Sequence, residues 1–255
     1  MPRRYRKTST AAPAGYFAWE AAGLRWLGAA GGAAVAEVLD AGPHHLELPL
    51  LDAAPPTPRA AEDLGRGLAT LHAVGAGGWG AGPDGWDGDG WLGPLSEPLP
   101  LRLGRWGTWG AFYGQARVLP LARLGRERGT FDDADVAVLE RLAERVGSGA
   151  FDTPDAPARL HGDLWSGNVV WTREGAVLID PAAHGGHREG DLALLALFGA
   201  PGLERLLAAY DEAAPLADGW RSRVQLHQVH PLLLHAVLFG GGYVRQALDA
   251  ARRYL

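Results

Sequence analysis

Phe17, Ala21, Leu24 and Leu27 recur at helical spacing and Gly31-Gly32 closes the run, which predicts a helix near residues 16–28. Two short apolar segments follow, Val35 to Leu39 and Leu46 to Leu51, split by Gly42-Pro43 and read as strands. The second runs into Asp52-Ala53-Ala54-Pro55-Pro56-Thr57-Pro58, where proline cannot continue a hydrogen-bonded ladder, so a stiff linker and a lobe boundary are expected there. Beyond it Leu64, Leu68, Leu71 and His72 mark one face of a helix, and the Gly- and Trp-rich stretch from Gly75 to Gly93 reads as an ordered surface loop. Further helices are predicted at about 105–125, 132–147 with Asp132-Asp133 at its start, 188–198, 202–214 and 219–253. Between them, 168–172 and 176–180 form two β-branched runs joined by a glycine-containing turn, the pattern of a hairpin.

The chain has 255 residues, 47% hydrophobic and 21% charged, enough for one large domain or two modest lobes with a full core. The balance of 24 basic against 29 acidic residues offers no positive field for a polyphosphate backbone, which argues against nucleic acid as a partner. The absence of cysteine excludes disulfides, thiolate metal sites and a thiol nucleophile. No apolar run approaches the roughly 20 residues needed to cross a bilayer, and the basic start is followed by Thr8-Ser9-Thr10 instead of an apolar signal core. A cytoplasmic protein with no membrane partner is expected.

The chemistry concentrates in His161-Gly162-Asp163-Leu164-Trp165-Ser166-Gly167-Asn168, a loop entering the hairpin, with Asp180 at the hairpin's far end. Phosphoryl transfer needs a carboxylate to orient the attacking hydroxyl and hard oxygen ligands for a phosphate-bridging Mg²⁺, and Asp163, Asn168 and Asp180 supply these types. The pattern H-x-D-x-x-x-x-N followed by a strand and an Asp is that of the kinase-type catalytic loop. The bland alternative is an Asx-type turn at Asp163 and Asn168 with Asp180 as a cap. A metallophosphoesterase reading is weaker, because both pieces share one loop.

Three stretches, Leu160 to Asn168, Val177 to Ala182 and Gly186 to Ala193, resemble the fructosamine kinase (ketosamine 3-kinase) family within the aminoglycoside phosphotransferase-like group. The likeness continues in Phe17 to Leu24, Leu68 to His72 and Leu238 to Tyr243, nearly the whole chain. The resemblance implies an α+β, two-lobed protein-kinase-like fold, with residues 1–51 as the small lobe and 52–255 as a mainly helical lobe. It implies an ATP- and Mg²⁺-dependent kinase acting on a sugar hydroxyl of a small-molecule glycated amine or a glycated protein lysine, with 3-phosphorylation as the regiochemistry. Asp163 would be the catalytic aspartate, Asn168 and Asp180 the metal ligands, and Asp191 a brace for the catalytic loop. A related small-molecule kinase for aminoglycosides or amino alcohols, or a non-catalytic nucleotide-binding scaffold, are the alternatives.

Lys7 is the sole lysine among 24 basic residues, and a compact ammonium is not interchangeable with guanidinium at a phosphate clamp. In the implied fold it holds the nucleotide phosphates and pairs with a helix glutamate, for which Glu20 is the candidate. Leu48, Leu50 and Leu51 read either as an edge strand or as an adenine-binding hinge. Trp165 is either packing or a wall for a sugar ring, and His161 a scaffold for the loop. The family places a glycine-rich loop and two strands before its lysine, whereas only Met1 to Arg6 precede Lys7, so a truncated small lobe with weak nucleotide binding is expected. His184, His187, Glu189 and Asp191, or His227, His230 and His235, could be read as metal clusters, but core or surface histidine is the favoured reading.

Overall fold

The computed structural model describes residues 3–255; Met1 and Pro2, the start of the expected small lobe, lie outside the described residues. The small lobe opens with β1 (Arg4–Thr8), α1 (Tyr16–Gly28), β2 (Ala34–Val35), β3 (Asp40–Gly42) and β4 (His45–Pro49). β1, β4 and β3 form an antiparallel sheet in that order, with Lys7 opposite Leu46 and Tyr5 opposite Leu48. Alternation along β4 points Leu46 and Leu48 at α1, where they bury against Phe17, Ala21 and Leu24. That packing is what seats α1, and so Glu20, under β1.

α2 (Pro58–Ala73) begins the helical lobe. Its start is written in the sequence: the Thr57 side chain accepts from the Ala60 amide at 3.1 Å and Pro58 occupies the first turn, where its missing N–H costs nothing. The proline linker before it is pinned by the Ala54 amide donating to the Trp171 carbonyl, 2.8 Å. The Gly- and Trp-rich stretch, expected as loop over Gly75 to Gly93, instead ends in a strand, β5 (Gly90–Leu92), which pairs with β6 (Leu99–Leu101).

The helix expected at 105–125 is a composite of α3 (Trp109–Phe112), a π-helical turn (Tyr113–Val118) and α4 (Leu119–Glu127). Pro120 removes the N–H that would continue the ladder, and the Ala116 carbonyl instead accepts from the Arg117 guanidinium at 3.0 Å. α5 (Asp133–Gly147) starts with a capping box between Asp132 and Asp135. β7 (Ala158–Leu160) leads into the catalytic loop, β8 (Val169–Trp171) and β9 (Ala176–Leu178) form the expected hairpin, and β10 (His184–Gly186) pairs back on β7. β2 adds to β9 in parallel, Val35 beside Leu178, so one small sheet crosses the lobe boundary.

α6 (Glu189–Phe198) and α7 (Leu203–Ala213) match the predicted spans to within a residue. The single helix expected over 219–253 is two, α8 (Trp220–Phe239) and α9 (Gly242–Arg252), because Gly240 and Gly241 both take positive φ (63° and 60°), which ends an α-helix. Pro231 leaves the His227 carbonyl of α8 without its N–H, and the Tyr113 hydroxyl reaches that carbonyl at 3.4 Å while entering the neighbouring rung. That hydroxyl donates to the Leu226 carbonyl at 2.6 Å and accepts from the His230 amide at 3.1 Å. Among the described residues no helix is long and apolar enough to cross a membrane.

Candidate active site

β1 presents Lys7 and α1 presents Glu20 across the same face, and their Nζ and Oε2 atoms meet at 2.9 Å. Asp180, at the end of β9, reaches the same ammonium with Oδ1 at 3.3 Å. Burial alone would lower the Lys7 pKa, but Glu20 and Asp180 hold it above the ordinary lysine value, so the ammonium stays charged. Its charge also faces the Tyr16 ring, 5.7 Å from the centroid. Asp180 has a backbone φ of 53°, rare for a residue with a side chain and a form of local strain that collects at functional sites.

The catalytic loop is fixed from below. Asp191, near the start of α6, accepts from the backbone amides of His161 at 2.7 Å and Gly162 at 3.0 Å, and its Oδ2 lies 3.2 Å from His72 Nε2. The far nitrogen of His72 meets the Tyr210 hydroxyl at 2.8 Å. Gly162 sits at φ 79° with the Ala182 carbonyl 2.2 Å from where a Cβ would be, so no other residue fits this turn. The His161 ring donates from Nε2 to the Ile179 carbonyl at 2.9 Å, and its Nδ1 accepts from the Asp163 amide. Burial lowers its pKa and leaves the ring neutral, so it acts as the expected scaffold.

Held this way, Asp163 turns its carboxylate into the cleft, where Asn168 Nδ2 donates to Oδ2 at 3.0 Å and to the Asp163 carbonyl at 2.8 Å. Burial pushes the Asp163 carboxyl up to about 7, against the help of Asn168 and with the Asp180 and Asp191 charges adding to the rise. Because the Asn168 amide nitrogen is spent on Asp163 and Asp180, its oxygen is free to face the cleft. With the part-exposed Asp180 carboxylate it offers hard oxygen donors of the type a Mg²⁺ ion takes. The residues present therefore fit the metal that the chemistry calls for.

These groups line one cavity of about 330 Å³. Lys7, Glu20, Asp163, Asn168 and Asp180 occupy one end, and Trp165, 40% exposed, stands at the mouth with its ring edge toward Phe198. Trp91 to Leu95 and, at the end of α8, Leu234, His235, Leu238 and Phe239 also line it; of these the sequence had marked His235 alone as a candidate site residue, as part of a metal cluster. The Gly-Trp composition of 75–93 marked an ordered loop without saying what it lines, and the Phe239-Gly240-Gly241 break was the available sign that α8 ends at the cleft. Leu48, Leu50 and Leu51 do not line this cavity: Leu48 is in the small-lobe core, Leu50 is 40% exposed and Leu51 half-buried beside the linker.

Of the candidate metal clusters, His187, Glu189 and His227 do converge, with ligand atoms within 4.8 Å of one another. Arg223 already holds Glu189 with two hydrogen bonds, 2.9 and 2.5 Å, so the group is a neutralised ion-pair network and the reading as core histidine stands. His230 and His235 lie apart from it.

The family model described as fructosamine kinase matches residues 3–255. A probable ketoamine kinase from Thermus thermophilus is 37% identical over 242 residues, spanning 93% of this chain and 82% of that protein. Another from Synechocystis is 34% identical over 197 residues, 75% of this chain, and the match spans 61% of that relative's length. A crystal structure from Thermobifida fusca, described as a candidate fructosamine-3-kinase, superposes with a TM-score of 0.90 at 46% identity over 99% of this chain and 85% of that one. A macrolide 2'-phosphotransferase from Brachybacterium faecium, at 20% identity and a TM-score of 0.58 over 98% of this chain and 84% of that one, shares the protein-kinase-like fold.

Proposed function

The chain belongs to the fructosamine kinase family, ATP-dependent phosphotransferases, and on that premise we propose that it phosphorylates a sugar hydroxyl of a ketosamine at the Asp163 cleft. The observation that carries the reading is the convergence of Lys7, Glu20 and Asp180 with Asp163 and Asn168 at one end of one cavity. A phosphate clamp and a carboxylate for the acceptor are there side by side.

Asp163 accepts the hydrogen bond of the acceptor hydroxyl and takes its proton as the oxygen bonds to the γ-phosphorus and ADP departs. Lys7 neutralises phosphate charge while Glu20 holds the ammonium in place. Asn168 and Asp180 would hold Mg²⁺, whose positive charge would offset that of the nucleotide phosphates. Trp165, Trp91 and Phe239 offer apolar faces to a neutral sugar. Aspartates and glutamates line only the catalytic end of the cavity, and the acceptor wall carries no carboxylate to attract a polycationic aminoglycoside. Position 3 of the sugar is the site of transfer, the substrate a small glycated amine or glycated lysine, and the working compartment the cytoplasm.

The test is ADP release from Mg²⁺-ATP with a glycated lysine, with an aminoglycoside as the comparison, and phosphorus NMR of the product for its position. Turnover confined to the aminoglycoside overturns the proposal.

A further inference from the structure

Behind Asp163 lies a second, smaller cavity of about 60 Å³. Leu92, Asp163 and Leu234 line both spaces, so the small one opens off the main cleft past the catalytic loop. At roughly 10–15 Å³ of such volume per water molecule, it takes about four to six small heavy atoms.

Its walls are apolar at Phe112, Leu160 and Pro231, yet besides His227, whose Nε2 lacks a hydrogen-bond partner, three polar side chains face it with hydrogen-bonding capacity unspent. His184 Nδ1 lies 2.8 Å from the Ala182 carbonyl, which can only accept, so that nitrogen carries the proton and Nε2 is a bare acceptor. The His230 ring has no hydrogen-bond partner among the described residues and can offer one donor and one acceptor, whereas its backbone amide is used by Tyr113. Arg117, 2% exposed, spends Nη1 on two carbonyls and leaves Nη2 without a partner. Burial and the Arg117 charge keep His184 at about 3 and His230 well below the ordinary histidine value, so both rings are neutral.

A bare cation is disfavoured by Arg117, and an anion by the Asp163 and Asp191 carboxylates that also line the cavity. Alternating apolar wall with neutral donors and acceptors suits a hydroxylated carbon chain. We propose that this cavity receives the polyol arm of the ketosamine, the carbons beyond the phosphorylated hydroxyl, with His184, His230 and Arg117 bonding its hydroxyls. For transfer at position 3 of a six-carbon sugar that arm is three carbons and three oxygens, six heavy atoms, which matches the space. This assignment rests on the ketosamine kinase reading, and it makes His230 and His184 determinants of sugar length.

The experiment measures kcat/KM for a six-carbon ketosamine, its 6-deoxy analogue and a four-carbon ketosamine of the same amine. In the wild-type protein the 6-deoxy analogue is worse by about fivefold, carried by KM, as loss of one or two buried hydrogen bonds requires. His230→Phe, which fills the cavity and removes its donor, lowers kcat/KM for the six-carbon substrate about tenfold more than for the four-carbon one, and His230→Gln recovers part of the difference. An unchanged rate with the 6-deoxy analogue, or equal losses for both sugar lengths, overturns the subsite while the kinase reading survives. Absence of turnover with every ketosamine overturns the kinase reading, and the subsite with it.

Discussion

Lys7 and Asp180 stand 3.3 Å apart across the two lobes, one on the first strand and the other at the end of the catalytic hairpin. Under the proposed function a nucleotide would draw on the Lys7 charge and a metal on the Asp180 charge, so each can be tested by substitution. Lys7→Ala removes the only lysine in the chain and should cut kcat/KM for ATP by about a hundredfold or more, and Lys7→Arg should recover little, because the planar guanidinium does not fit a point-charge clamp against Glu20. Steady-state kinetics over ATP concentration checks this, and an active Lys7→Arg enzyme would remove Lys7 from the phosphate site.

Asp180→Ala takes away the anionic half of the oxygen pair and leaves Asn168 alone. Nucleotide affinity with Mg²⁺ should then fall to about its value without Mg²⁺, while the metal-free affinity changes little. Titrating ATP by calorimetry in both conditions decides it: a variant that keeps the wild-type Mg²⁺ dependence excludes the role.

Asp163 should show itself twice. With the free-enzyme carboxyl raised to about 7, kcat/KM for the acceptor climbs with pH and levels off above about 7, since only the ionised form accepts the proton. Asp163→Asn should lower turnover by two or more orders of magnitude and leave ATP affinity nearly unchanged. Because the folded pKa lies above the unfolded value, ionised Asp163 costs stability at high pH. The variant should therefore melt higher than the parent at pH 8, with the gain shrinking as pH falls through 7. A flat pH profile, or equal melting at pH 8, contradicts the assignment.

The site was legible in the sequence where local spacing fixes it. Asp163 and Asn168 share one loop and Asp180 follows one short hairpin, so they are close along the chain, and Asp191 then fixes the loop from below. Lys7 and Glu20 were paired through the family resemblance, and α1 folding back beneath β1 brings them within hydrogen-bond reach. The acceptor wall was not legible, since Trp91 and Phe239 reach the cleft only through tertiary packing of β5 and α8. The long helix over 219–253 failed at two glycines that interrupt an otherwise apolar pattern, and the one near 105–125 hid a π-helical turn set by Pro120 and Arg117. The second cavity draws its polar side chains from the π-helical turn, β10 and α8, a convergence that no local motif records.

Those same buried histidines should make the protein acid-labile. His184 and His187 are held at about 3 and His230 well below its ordinary value, mainly by burial, whereas all three titrate near 6.5 when unfolded. Folded pKa values below the unfolded ones mean that their contribution is complete above about 6.5 and is lost as pH falls below it. Asp163 and Glu20 work in the opposite direction, since the folded protein takes up a proton at each between 7 and the ordinary carboxylate range. Burial lowers His161 and His235 as well, so the five histidines outweigh the two carboxyls and the unfolded state binds more protons in this window. Unfolding free energy should therefore drop by on the order of 1–3 kcal/mol for each pH unit below 6.5. Urea unfolding at pH 7.5, 6.0 and 5.0 measures the slope. His187→Phe should reduce it by about one proton's worth, even though Trp109 and His227 pack against that ring and the variant is less stable at neutral pH. A stability that stays level from pH 7.5 to 5.0 would mean that the histidines are charged, or solvated, in the folded protein.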